Sequence, residues 1–192
     1  MRNWILILTI HLACIPVFSQ SNNCGFKTEC ECDTTKQTIT YSVTYSDIVV
    51  QGTIKSVDTL DLSQIITKEA VLKIKQDTLP RSECAKSTLK DKKVLRSKIQ
   101  LEKIYKGQSN QKYIYIITPI DKKFCSYSDF TINQEYLIYG TKNKTADNYF
   151  LWTFDQDYFL LKKEYIFWTN KCKRTKLTEL NELKIIEDLT KT

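Results

Sequence analysis

Cys30-Glu31-Cys32 sets two sulfurs one residue apart, and cysteines so spaced serve either a metal ion or disulfides. The one-residue gap is shorter than a zinc knuckle, and Cys24, Cys84, Cys125 and Cys172 are scattered far from it. Excluding Cys14, which falls in a leader segment, six cysteines remain. In an exported chain an even number reads as three disulfides, with the connectivity left open. Carboxylates such as Asp47 and Asp129 occur singly and read as turn or cap residues.

The leader is residues 1–19. Arg2 precedes an apolar run over Trp4–Ile10 and Leu12–Phe18, and Val17 and Ser19 fit signal-peptidase cleavage before Gln20. A transmembrane anchor is disfavoured because the run is about 15 residues where a span needs roughly 20. A lipoprotein reading at Cys14 meets His11 where a branched aliphatic residue belongs. Removing 19 of 192 residues leaves 173 and takes away the single His and the single Met. A chain without histidine has no Ser-His-Asp or Cys-His catalysis, no His-ligated zinc and no His general base. The glycines, Gly25, Gly52, Gly107 and Gly140, are too far apart for a phosphate-cradling loop. The sequence is therefore read as a non-enzyme with no cofactor.

Net charge falls from +7 to +6 when Arg2 leaves, with Lys162, Lys163, Lys171, Lys173, Arg174 and Lys176 gathered late. A positive surface attracts glycans, acidic membranes or nucleic acid. A solvated lysine face is the simpler reading, and an exported protein seldom meets nucleic acid. The expected location is extracellular or periplasmic, with a monomeric mature chain and no membrane span.

The elements that must position the cysteines read as short strands in one domain, residues 20–192. Tyr45–Val57 is rich in β-branched residues, and its single Gly52 predicts a bent strand. Val94–Tyr105, Lys112–Thr118 (closed by Pro119) and Glu135–Thr141 follow. Tyr149–Phe154, Tyr158–Leu161 and Tyr165–Trp168 supply one or two more, with a hairpin turn at Asp155-Gln156-Asp157. Residues 58–93 form a polar insert, read as a long loop or excursion between the first two strands. Lys36–Tyr45 admits a short helix, although Ile39, Tyr41, Val43 and Tyr45 alternate as in a strand. The tail, about 178–190, is a helix with Thr178 as N-cap, Glu179 and Glu182 in its first turn, and Leu180, Leu183, Ile185, Ile186 and Leu189 apolar. The fold class is mainly β, an antiparallel barrel or sandwich with one or two flanking helices.

Taken in order, these stretches resemble the netrin-like/tissue-inhibitor-of-metalloproteinases (TIMP) superfamily in its compact single-domain form. The resemblance rests on Cys30-Glu31-Cys32, on Tyr45–Ile54 (YSDIVVQGTI) and on Ile104-Tyr105-Lys106-Gly107. It continues through Cys125-Ser126-Tyr127, Glu135–Gly140 (EYLIYG) and Cys172–Leu177 (CKRTKL). It implies a closed five-stranded barrel of OB type, stapled by Cys30–Cys125 and Cys32–Cys172; subtraction then leaves Cys24–Cys84. Closing loops of about 95 and 140 residues contributes on the order of 4–5 kcal/mol each in the chain-entropy account.

The resemblance also implies an activity, inhibition of zinc metalloendopeptidases. In such inhibitors the first cysteine of C-x-C is the mature N-terminus, and its α-amine and carbonyl chelate the target's zinc and displace the hydrolytic water. Here Cys30 would be that ligand, with Glu31, Cys32 and Asp33 entering the cleft. Cleavage before Gln20 leaves Gln20–Glu29 ahead of Cys30, and a mid-chain amide nitrogen is not basic, so the chelate needs an N-terminus at Cys30. The alternative is a non-inhibitory extracellular module that binds protein or glycan through its loops or basic segment.

Overall fold

The computed structural model describes residue 32 and residues 38–79, 82–121, 125–144, 159–165, 167–173 and 175–191. The chain is mainly β, a mixed sheet with a few helices. In order, the elements are α1 (Ile39–Thr44), β1 (Ile48–Asp61), α2 (Leu62–Ile65), α3 (Lys68–Gln76), α4 (Ser82–Asp91), β2 (Lys93–Lys106), β3 (Tyr113–Pro119), β4 (Glu135–Lys142), β5 (Phe167–Trp168), β6 (Lys176–Leu177) and α5 (Leu180–Thr190). The sheet order is β1-β2-β3-β5-β4-β6, and β1 also pairs with β4. β1 therefore has a partner along both edges. Its inner side chains Ile48, Val50 and Ile54 meet Ile99, Ile114, Ile116 and Ile138 in one buried cluster. The period-2 alternation of β-branched residues produces that face.

Gly52 sits where the sequence placed a bend: the β1–β2 register shifts between Gln51 and Gly52. A Cβ at Gly52 would collide with the Gln100 carbonyl and Ile99. Glycine thus permits the close approach, and the irregularity bends the strand.

Several expectations are corrected. The sheet is not wholly antiparallel, because β3 and β5 run parallel at Ile116↔Phe167 and Ile117↔Trp168. A tight hairpin forces antiparallel pairing, but the long connection into β5 does not. Residues 58–93 are not a polar loop. β1 continues to Asp61, three helices follow, and Asp61↔Lys93 closes the pair where the excursion returns. Leu62, Ile65, Ile66, Ala70, Ile74, Ala85 and Leu89 face a second buried cluster that includes Val94, Ile117, Phe159 and Trp168. Helical spacing hidden among lysines accounts for the misreading. Thr67 caps α3 by accepting from the Ala70 N–H, 3.2 Å.

Lys36–Tyr45 resolves as helix over Ile39–Thr44, capped by Thr38. Lys106 Nζ donates to the Val43 and Thr44 carbonyls at its end, 2.7 and 2.8 Å. α5 begins at Leu180, and Glu179 rather than Thr178 is its N-cap residue. Glu182 lies in the first turn as expected and is buried; it shares a face with Ile186 and accepts from Tyr139 Oη at 2.5 Å. Of the stretch read as one or two late strands, the described residues hold an Ile66↔Leu161 bridge, a 3₁₀ turn at Lys163–Tyr165 and the sheet strand Phe167–Trp168. Residues 149–158, with the expected hairpin turn, lie outside the described residues, as does the leader 1–19. Among the described residues no helix is long and apolar enough to cross a membrane.

Candidate functional site

Of the predicted edge residues, Cys32 is described; Cys30, Glu31 and Asp33 lie outside the described residues, as does Cys24. Cys32 is bonded to Cys172 across a sequence separation of 140 residues. This is one of the pairs that the resemblance implies. Cys84 and Cys125 are disulfide-bonded too, each to a residue outside the described set.

Hydrogen bonds within the body of the fold hold the backbone turns that carry Cys125 and Cys172. Cys125 has a positive φ of 56° and its carbonyl accepts from the Lys171 N–H at 2.7 Å. Asn170 Oδ1 accepts from the N–H groups of Cys172 and Lys173 at 3.1 and 3.2 Å, a side-chain-closed turn. The Tyr127 N–H donates to Thr118 Oγ1 at 3.0 Å and ties the Cys125 loop to β3. Cys125 and Cys172 Sγ consequently lie 3.3 Å apart. With Cys32 Sγ, all three sulfurs fall within 4.8 Å of one another. That spacing would suit thiolate ligands, but the Cys32–Cys172 bond uses two of the three, and a bonded sulfur is not the thiolate a metal needs.

The same end of the sheet carries Asp47. Its N–H donates to the Gly140 carbonyl (2.9 Å) and its Oδ2 accepts from the Lys142 N–H (2.7 Å). Asp47 thus pins β1 to β4 rather than merely ending a turn. Nearby Lys173 is half-buried, and desolvation pulls its ammonium below the ordinary lysine range while Asp47 opposes the shift. Of the described late basic residues, Lys163 and Lys171 are exposed, and Lys162 Nζ donates to the Gln64 carbonyl at 2.7 Å.

A second polar surface lies on the outside of β1–β3, between the α2–α4 cluster and α5. Lys98 Nζ stands 4.4 Å from the Tyr113 ring centroid and Lys112 Nζ 5.7 Å. Arg96 stands 5.2 Å from the Tyr115 ring and pairs with Asp58 at 2.8 Å. Further along, Glu102 and Glu135 share a hydrogen bond, and Gln51 Nε2 donates to Glu135 at 2.9 Å. The contact with Glu135 raises Glu102 above the ordinary glutamate range, and the same contact holds Glu135 below it. Each carboxylate thus bears on the other's ionisation. Alternation in Arg96–Gln100 and Tyr113–Tyr115 was the signal for the aromatic-cation surface. Nothing local pairs Glu102 with Glu135, which meet through β1.

No protein-family model matches the chain. No curated protein matches it either.

Proposed function

We propose that β1–β5 form a closed barrel of OB type, and that the protein is an exported inhibitor of zinc metalloendopeptidases of the netrin-like/TIMP kind. The strand order supports the barrel: the sequence β1-β2-β3-β5-β4 returns to β1 through β1–β4 pairing. The observation that carries the function is the covalent anchoring of the C-x-C motif, whose second cysteine is bonded to Cys172 at one end of the sheet. A tether at Cys32 would lower the ordering entropy that the motif has to lose on binding. Cys30, freed as the N-terminus, would offer its amine and carbonyl to a target's zinc.

The test compares three forms, beginning at Gln20, at Cys30 and at Ala-Cys30. The Cys30 form is expected to inhibit a zinc metallopeptidase far better than the other two, because an added residue destroys the five-membered chelate. Equal inhibition by all three refutes the chelate.

A second reading, a non-inhibitory binding module, is favoured by the Lys98–Tyr113–Lys112 surface. An aromatic ring between two ammonium groups suits an anionic glycan. If none of the three forms inhibits several metallopeptidases, and Lys98→Glu with Lys112→Glu abolishes retention on an anionic glycan column, this reading replaces the first.

A further inference from the structure

We infer that Cys32, Cys125 and Cys172 form a thiol–disulfide exchange centre, through which one dithiol equivalent frees both Cys32 and the partner of Cys125. Whether or not the protein inhibits a peptidase, this follows from where the sulfurs stand. Cys125 and Cys172 Sγ, 3.3 Å apart, are inside ordinary van der Waals contact although they belong to different disulfides. Their backbones are joined by the Lys171 N–H to Cys125 carbonyl bond, and Asn170 fixes Cys172. Neither restraint involves the N-terminal segment. Both sulfurs are half-buried, within reach of a small reductant.

The steps balance. A dithiol attacks the disulfide of Cys125, closes to its own cyclic disulfide, and leaves a Cys125 thiolate and a thiol on the former partner. The Cys125 thiolate then attacks Cys172 Sγ. A Cys125–Cys172 bond forms, the Cys32–Cys172 bond breaks, and the electron pair leaves on Cys32 Sγ, which takes a proton from water. Two electrons have entered, one disulfide survives within the body of the fold, and Cys32 and the former partner of Cys125 are both free. If that partner is Cys30, as the resemblance implies, one two-electron reduction unfastens the whole C-x-C segment.

The test uses the full oxidised chain, substoichiometric dithiothreitol, acid quenching, alkylation and peptide mapping. The two-electron product is expected to hold a Cys125–Cys172 bridge, with Cys32 and the former partner of Cys125 alkylated. A product that keeps Cys32–Cys172, or keeps the original Cys125 bond, with no Cys125–Cys172 bridge at any time, overturns the inference. Cys32→Ser gives a second reading without added reductant. The orphaned Cys172 thiol should capture Cys125 and move the free thiol to Cys125's former partner. A free thiol that stays on Cys172 overturns it equally.

Discussion

The insert and the cysteine loops are held by different physics. At the insert, residues 62–94 return to the strands they left, and Leu62, Ile65, Ile74 and Trp168 are fully buried in an apolar cluster. That region is stable because area is removed from water, about 25 cal/mol per Å² of apolar surface. At the cysteine loops the N-terminal segment is held by a bond spanning 140 residues, beside hydrogen-bonded turns and a half-buried lysine. There the gain lies mainly in restricting the unfolded chain. The contrast teaches that the insert responds to side-chain truncation and the cysteine loops to redox conditions.

The largest effect should come from breaking the covalent tether. Cys32→Ala with Cys172→Ala is expected to cost on the order of 5 kcal/mol, with urea unfolding as the measurement. A loss below about 1 kcal/mol would mean that the tether adds nothing to contacts already present. Next comes Leu62→Ala at the insert, about 3 kcal/mol from lost burial and the cavity left. Its cost should be the same with and without a reductant, whereas that of the cysteine pair should vanish on reduction. Equal sensitivity of both regions would erase the distinction.

Tyr139→Phe probes a third region. It removes the hydroxyl that donates to buried Glu182 under α5 and is expected to cost about 2 kcal/mol. Hydrogen exchange should show the loss first in α5 and leave α2–α4 protected.

The smallest effect belongs to the exposed carboxyl pair. Glu102 is raised, so its stabilisation is present below the ordinary glutamate value and is lost as pH rises through its folded value. Glu135 is lowered, so its share is present above the ordinary value and is lost as pH falls through its folded value. The pair therefore contributes most between the two, by less than about 1 kcal/mol at so exposed a position. Glu102→Gln should flatten the alkaline side of the Tm–pH profile; an unchanged profile would show that the two carboxyls do not affect each other's ionisation.

Much of this was legible locally. Alternating β-branched residues marked β1–β4, Gly52 marked the bend, and apolar spacing marked the C-terminal helix, since each signal lies within one turn or one pleat of its cause. The insert helices were less legible because Lys68–Gln76 and Ser82–Asp91 are mostly polar, and the cluster they cover exists only once Trp168 and Phe159 arrive. For the site, the sequence by itself pointed to the C-x-C motif and the distant cysteines. Only the tertiary structure decided that β3 meets β5 in parallel, that Glu182 turns inward to Tyr139, and that Cys125 lies against Cys172. Residues 47 positions apart, as Cys125 and Cys172 are, carry no local signal of contact. Their meeting depends on strand pairing, whose loop-closure cost and burial gain are properties of the whole chain.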